Sequence, residues 1–449
     1  MQDKSQLEEL IKETVKRIET KEGRSRSRTA DEQLRFEHAT RVLIVDLWKA
    51  VKSTPIRECS INKRSGWYSE NPRYRDPLLT YKQTIAVFDG LLRIGFIELT
   101  REGHFDRTTY QGKTTRFVAR DELLERMQEL DGHPAISIKP DLDAETIILR
   151  NKVDGKKVLQ EYEDTPATER HRANLKIINS CFLKHWFDLE VQDTELAKLE
   201  SRIANHATKE PIDFSQRTLV RIFSNGSFKQ GGRFYRGWWQ NVPSEYRKFI
   251  TIDESVTTEY DFSQLSPHML YFAYNHELGE VDAYDRVLDG EHRDVVKQAF
   301  NAMVQSSSPL NQKPDKINMD ELEMGWQELR QRILDVHKPI QDLFFTGIGN
   351  KLQFKDSCVA ESVMLQFAEQ SQGALPIHDS FVMREGFAGD LEEAMRRAFY
   401  DEFQADIPIK REVIIERIAL FDEEGNPRTD TVTRDDRKHS QWYDRNTLC

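Results

Sequence analysis

Residues 374–386 read ALPIHDSFVMREG, and this stretch places Asp379 between two apolar runs. The apolar residues on either side alternate with a period of two, which predicts two short strands joined by a turn that presents His378 and Asp379. An ionised carboxylate that leaves water without a partner is strongly destabilising. Asp379 is therefore expected to be paired, exposed by an ordinary turn, or bound to a cation.

A second carboxylate of this kind occurs in residues 255–275, SVTTEYDFSQLSPHMLYFAYN. Residues 256–260 favour a strand that ends at Asp261, and Pro267 is typical of the first turn of a following helix. A carboxylate at the end of a strand, facing the start of a helix, suits a metal ion. The alternative is that Asp261 only caps the helix.

Between the two carboxylates, residues 290–309 read GEHRDVVKQAFNAMVQSSSP. The spacing predicts a helix on which Arg293 and Lys297 share one face, and Asn301 and Gln305 continue the same face. Such a cationic face between two carboxylates suits a triphosphate whose remaining oxygens are bridged by divalent metal. The alternative is an ordinary solvated helix face.

The order of these three segments resembles the palm and fingers of the single-subunit polymerases, which comprise family A DNA polymerases and phage-type and mitochondrial RNA polymerases. YDFSQLSPHMLY is similar to their first catalytic motif, RDVVKQAFN to their fingers helix, and IHDSF to their third motif. The resemblance covers roughly residues 215–410, a little under half of the chain.

The resemblance implies that Asp261 and Asp379 bind two Mg²⁺ ions, with Mn²⁺ as an alternative, and act in catalysis together with Lys297. Template, primer or product strand and nucleoside triphosphates are the implied partners. The implied nucleotide-binding residues are Arg293, Lys297, Ser266, Asn301, Gln305 and His378.

Two departures from the family concern the sugar of the substrate. At Ser266 the DNA polymerases carry a glutamate that excludes the ribose 2′-hydroxyl, so a serine favours ribonucleotides, and Ser380 also resembles the RNA polymerase form. At Asn301 and Gln305 the family usually has an aromatic residue. The amides at these two positions leave the choice between ribose and deoxyribose open.

The net charge of −11 is unevenly distributed. Residues 217–250 contain seven Lys and Arg against one acid, and residues 60–120 contain eleven against six. In the first region, basic residues alternate with aromatic ones that could stack on bases. The predicted nucleic-acid-binding residues there are Arg233, Arg236, Arg247 and Lys248, interleaved with Phe234, Tyr235, Trp238 and Trp239.

The second region has a helical pattern that ends at Gly95, followed by two alternating segments around a polar tip, which is typical of a winged helix-turn-helix. Arg93 and Lys113 are placed there for contact with DNA phosphates. The alternative is a small α+β domain with a solvated basic surface.

The predicted fold class is α+β, a right-hand polymerase-like palm and fingers with an N-terminal, mainly helical region that contains a winged-helix-like module. The predicted domains are an N-terminal helix and linker (1–30), the winged-helix-like DNA-binding domain (31–135), a thumb-like helical connector (136–210), the palm and fingers (211–410), and a C-terminal strand with a polar tail (411–449).

We expect a cytoplasmic protein without a membrane partner, because no apolar run reaches the roughly 18 residues of a membrane span. The four cysteines have no metal-ligand spacing and are expected to be free thiols. The predicted function is a metal-dependent polymerase that extends a 3′-hydroxyl, with a preference for RNA synthesis or primase-like activity in a phage or mobile element. The alternatives are a family A type DNA polymerase and a non-catalytic DNA-binding replication initiator.

Overall fold

The computed structural model describes residues 2–53, 55–106, 111–130, 132, 134, 138–205 and 211–412. The helices within these ranges are α1 (Gln2–Glu22), α2 (Ala30–Val51), α3 (Ser65–Ser69), α4 (Tyr81–Arg93), α5 (Asp121–Glu129), α6 (Pro166–Phe182), α7 (Asp193–Ala204), α8 (Ser244–Arg247), α9 (Leu265–Phe272), α10 (Arg293–Gln305), α11 (Trp326–Val336), α12 (Gly349–Glu369) and α13 (Ala388–Phe403). The strands are β1 (Cys59–Ile61), β2 (Ile97–Arg101), β3 (His104–Asp106), β4 (Gln111–Lys113), β5 (Thr115–Ala119), β6 (Ile147–Val153), β7 (Lys156–Leu159), β8 (Phe187–Leu189), β9 (Val220–Ser224), β10 (Ser227–Tyr235), β11 (Ile250–Ile252), β12 (Ser255–Phe262), β13 (Leu375–Ile377), β14 (Ser380–Arg384) and β15 (Ile409–Glu412). This mixture of helices with mainly antiparallel sheets agrees with the predicted α+β class.

The described residues form two compact units, and the first comprises residues 2–145 and 190–216. Its chain passes through α2, β1, α3, α4, β2 and β5, and the three strands pair antiparallel in the order β1-β5-β2. Helix α2 begins at a capping box, in which the Thr29 side chain and the Glu32 side chain each accept a backbone N–H of the other. The buried core joins α1, α2, α4 and α5 to this sheet, through residues that include Ile18, Phe36, Leu47, Phe88 and Phe117.

The second unit comprises residues 146–189 and 217–412. One of its sheets has the order β10-β9-β6-β7, and the other has the order β13-β14-β12-β11-β8, with β15 also paired to β12. Helix α12 packs against β10, α6 and α13. Because β12 pairs with β14 on one side and with β15 on the other, its end lies between residues from two other parts of the chain.

The prediction of a helical connector over residues 136–210 is wrong for residues 147–159, which form the antiparallel pair of β6 and β7. Strand β6 also pairs in parallel with β9, so this segment belongs to a sheet of the second unit. Charged side chains at the exposed ends of both strands interrupt the alternation of polar and apolar residues. The sequence pattern therefore does not indicate these strands.

Of the predicted C-terminal strand and tail, residues 411 and 412 form the end of β15. Residues 413–449 lie outside the described residues. No helix in the described ranges is both long and apolar enough to cross a membrane.

Candidate active site

The pairing of β12 with β14 brings the two predicted carboxylates to neighbouring positions. Asp261 is the register partner of Ser380, so Asp379 is one residue away from the position opposite Asp261. Both aspartates line one cavity with a volume of about 480 Å³. Asp261 lies within β12 and the cap position of α9 is Gln264, so the alternative that Asp261 caps this helix is wrong.

Helix α10 supplies another wall of the same cavity. Its residues at four-residue spacing, Arg293, Lys297, Asn301 and Gln305, all line the cavity, as the spacing predicts. The opposite face of the helix is apolar and buried, and consists of Val296, Ala299, Phe300, Met303 and Val304. Burial of that face fixes the rotation of α10 and directs the polar face into the cavity.

Arg293 is held by acidic residues of the segment that precedes α10. Its Nη2 lies 2.7 Å from Oδ2 of Asp282, and its guanidinium lies 5.2 Å from the centre of the Tyr284 ring. Burial opposes ionisation of Asp282, but the hydrogen bond from Arg293 holds the pKa of Asp282 below its usual value. Asp282 and Tyr284 also line the cavity, where burial raises the pKa of the Tyr284 hydroxyl.

The start of α9 forms the part of the cavity that contains Ser266. Gln264, which precedes this helix, has a left-handed backbone with φ of +53°. Its side-chain oxygen accepts a hydrogen bond of 2.5 Å from the backbone N–H of Ala283. This bond ties the end of β12 to the segment that carries Asp282 and Tyr284.

Arg233 projects from β10 into the same cavity, where it is paired with a buried acid. Its Nε lies 2.7 Å from Oδ2 of Asp356 on α12, whose side chain is only 3% exposed. Burial raises the pKa of Asp356 to about 6, although Arg233 opposes the shift. Partial burial of the ring also lowers the pKa of His378, and the positive charge of Arg233 adds to that shift.

The other basic residues predicted to bind nucleic acid do not line this cavity. Arg247 is paired with Glu259 at 3.0 Å, Lys248 lies beside Phe249, and Arg236 is exposed. Arg93 and Lys113 are exposed residues of the first unit.

The predicted aromatic platform is wrong for three of its four rings, because Phe234, Trp238 and Trp239 are buried. The Trp239 indole N–H donates to the backbone oxygen of Pro376, which makes this ring part of the support of β13. Only Tyr235 of the four is exposed to solvent. Burial of the other three rings thus stabilises the core of the second unit.

Ser380 faces away from the cavity. It is 4% exposed, and its hydroxyl donates a 2.5 Å hydrogen bond to Glu259 on β12. Ser380 is therefore a buried, hydrogen-bonded residue that does not line the cavity.

Several cavity residues are not evident from the sequence. These residues include Asp282, Tyr284 and Lys410, which line the cavity. Asp356, which forms an ion pair with Arg233, is likewise not evident from the sequence. Lys410 is the register partner of Asp261 on β15, which no local pattern indicates.

The residues present are compatible with a divalent cation. Two neighbouring aspartates suit Mg²⁺, which keeps several waters and binds through one or two carboxylates together with phosphate oxygens. Within the described part of the chain, no cluster of three or more His, Cys, Asp and Glu side chains could hold a metal by itself. A cation in this cavity would thus be held by Asp261 and Asp379 together with oxygen atoms of a bound phosphate.

Comparison with known proteins finds partial similarity to solved structures alone. No protein-family model matches the chain, and no curated protein matches it. Among solved structures, the chain is similar to the POL domain of Pol1 from M. smegmatis in complex with DNA primer-template and dNTP, with 12% sequence identity and a TM-score of 0.31. The similarity covers 55% of this chain and 51% of that one, so the chain spans about half the length of that structure.

Proposed function

We propose that the chain is a metal-dependent nucleotidyltransferase that adds nucleoside triphosphates to a 3′-hydroxyl. The observation that carries this proposal is the single cavity that contains Asp261 and Asp379 on one side and Arg293 and Lys297 on α10. Paired carboxylates next to a cationic helix face match the needs of a triphosphate with bridging metal. An ordinary solvated helix face would not be expected to share a cavity with two half-buried aspartates.

In this reaction the 3′-oxygen forms a bond to the α-phosphorus, and the bond from that phosphorus to the bridging oxygen breaks to release pyrophosphate. Bound divalent metal would lower the pKa of the 3′-hydroxyl and neutralise charge on the leaving group. Asp261 and Asp379 would hold the metal. Lys297 and Arg293 would contact phosphate oxygens, and Arg293 would exchange Asp282 for phosphate.

His378 would contact the end of the growing strand beside Asp379. Because burial lowers its pKa, it can accept or donate a hydrogen bond without adding a positive charge next to the metal site. Asn301 and Gln305 would line the space for the incoming base.

The preference for ribonucleotides, and with it an RNA polymerase or primase-like role, is supported by Ser266 alone. A serine at the start of α9 leaves room in the cavity that a longer acidic side chain would fill.

The first unit is proposed to bind duplex DNA as a winged helix. The support is the order of its elements, in which α2, β1, α3 and α4 are followed by an antiparallel pair, and the sheet order is β1-β5-β2. Exposed Arg93 at the end of α4 and exposed Lys113 in β4 would contact phosphates.

Extension of a labelled primer on a template, with Mg²⁺ or Mn²⁺ and with rNTPs or dNTPs supplied separately, tests the proposed catalysis. We expect incorporation that falls by about 10³-fold or more in Asp379→Ala and Asp261→Ala, because each removes a metal ligand. Lys297→Ala is expected to raise KM for the nucleotide. Gln298→Ala is the matched control, because Gln298 is the next exposed residue of α10 and does not line the cavity.

The absence of incorporation with either nucleotide type would contradict the proposal, and would favour a non-catalytic initiator. Incorporation that is insensitive to Asp379→Ala would do the same. Use of dNTPs with rejection of rNTPs would leave the nucleotidyltransferase proposal in place and contradict the preference for ribonucleotides.

A further inference from the structure

Arg233 poses a problem for the proposed metal site, because a guanidinium beside a carboxylate competes with a cation for it. Burial opposes the charge of Arg233, but the negative charge of Asp356 and, after it, that of Asp379 raise the pKa of Arg233. Arg233 and Asp379 line the same cavity. A direct ion pair between the two would neutralise one of the two proposed metal ligands. Within the described part of the chain, however, the ion pair that Arg233 makes within 4.0 Å is with Asp356.

The backbone that carries Arg233 is fixed against α12 by a buried network. Buried Arg221 donates from Nε to the backbone oxygen of Gly232 at 2.8 Å and from Nη2 to the Ser357 hydroxyl at 2.9 Å. Its Nη1 also contacts Glu361, on the same helix, at 2.7 Å. Two of the residues bound by Arg221 are therefore immediate neighbours of this ion pair: Gly232 precedes Arg233 in β10, and Ser357 follows Asp356 in α12.

The glycine at position 232 permits this close approach. It has a left-handed backbone with φ of +80°, and a Cβ at this position would lie 2.9 Å from the Ser357 hydroxyl. The strand also has register irregularities between Gly231 and Arg233. Such irregularities redirect the side chain that follows, which is Arg233.

We propose that Asp356 is a positioning residue, which holds Arg233 away from Asp379 and so keeps Asp379 available to a divalent cation. Asp356 binds Nε of Arg233 from the buried side, whereas the Arg233 side chain is 24% exposed and reaches the cavity. Arg233 thus stays in the site as a cation for phosphate or strand without occupying the metal ligand. The proposal rests on the proposed function, because it takes Asp379 as a metal ligand.

Binding of Mn²⁺ alone to the full chain, measured by electron paramagnetic resonance of the free ion, tests this role independently of polymerisation. In Asp356→Asn the amide oxygen still accepts the hydrogen bond from Arg233, but the charge that retains Arg233 is lost. We expect Mn²⁺ affinity to fall about three- to tenfold, the range of an interaction of up to one pKa unit. Thermal unfolding of the same variant checks that it is folded.

Removal of Arg233 should cancel the effect. Mn²⁺ affinity in Arg233→Gln is expected to equal or exceed that of the unmodified chain, and Asp356→Asn in the Arg233→Gln background is expected to change it by less than about twofold. Glu402→Gln is the control for loss of one negative charge, because Glu402 is paired with Lys355 on α12 and does not line the cavity. It should leave Mn²⁺ affinity unchanged.

Unchanged Mn²⁺ affinity in Asp356→Asn would overturn the proposal, and so would an equal loss with and without Arg233. If Asp379→Asn abolishes Mn²⁺ binding and primer extension while Asp356→Asn alters neither, only the positioning role fails. If the unmodified chain neither binds Mn²⁺ nor extends a primer, the proposed function fails with it.

Discussion

Two residues with strained backbones border the cavity, one at the end of each strand region that carries an aspartate. His378 has φ of +59° and Gln264 has φ of +53°, which places both in the left-handed region that residues other than glycine seldom adopt. Each such conformation costs about 1–2 kcal/mol and persists only where the surroundings enforce it. Gln264 is held by its bond to Ala283, and His378 by the short connection of β13 to β14. The left-handed backbone at these two positions turns the chain so that Asp379 and the start of α9 both line the cavity.

Ser266 offers a test of sugar selection by a single side chain. In Ser266→Glu, the longer acidic side chain would occupy cavity space that a ribose 2′-hydroxyl needs. We expect the ratio of kcat/KM for rNTPs to that for dNTPs to fall by about 10-fold or more, or at least 1.4 kcal/mol of discrimination. Single-nucleotide incorporation with each nucleotide type measures this ratio.

Ser266→Ala is the matched control, because it removes the hydroxyl and keeps the side chain small. It should leave the ratio within about threefold of that of the unmodified chain. A Ser266→Glu variant that retains full use of rNTPs would contradict the proposed role of this position.

At the scale of single elements, local spacing predicts the face of α10 well, because residues four apart on a helix share a face in any fold. The period-two alternation of strands likewise places Asp261 near the end of one strand and Asp379 in a turn between two others. Local patterns cannot find Asp356, whose partner Arg233 is 123 residues away in the sequence, or Lys410, which meets Asp261 only through strand pairing. For Trp238 and Trp239 the sequence instead predicts a functional role that the structure does not support. A basic and aromatic sequence does not show which rings are buried in the core.

His185 joins three elements of the second unit and predicts a pH-dependent stability. It follows α6, its Nδ1 lies 2.6 Å from Asp253 in the turn between β11 and β12, and its Nε2 lies 3.0 Å from the backbone oxygen of Ser371 after α12. Both ring nitrogens then act as donors, which requires the protonated form. Burial opposes that charge, but the hydrogen bond to Asp253 raises the pKa of His185 to about 9.

A histidine whose pKa is raised by folding stabilises the native state fully below its unfolded pKa, near 6.5, and loses that contribution as the pH rises to about 9. Urea unfolding between pH 6 and pH 9.5 should therefore show a loss of free energy of unfolding on the order of 2–3 kcal/mol. In His185→Gln this loss should largely disappear, because the titrating group is absent. An equal pH dependence in the variant would assign the titration to another residue.

At the scale of the whole molecule, the order of segments along the chain is more informative than any single motif. Three segments separated by tens of residues supply the residues of one cavity. The strands within the predicted helical connector (136–210) could not be predicted in the same way. Strand β6 pairs in parallel with β9, about 70 residues later, and a parallel pair leaves no turn in the sequence.

The division into two units allows the proposed DNA binding by the first unit to be tested separately from the catalysis proposed for the second. Arg93→Ala/Lys113→Ala in the full chain removes two proposed phosphate contacts, so we expect weaker binding of duplex DNA and a salt dependence less steep by about 2 in log K against log salt concentration. Lys12→Ala/Lys16→Ala is the control, since it removes equal charge from exposed positions of α1 in the same unit. Fluorescence anisotropy across a salt series measures both quantities. Equal losses in the two double variants would indicate attraction by net charge alone, and would contradict a winged-helix contact through α4 and β4.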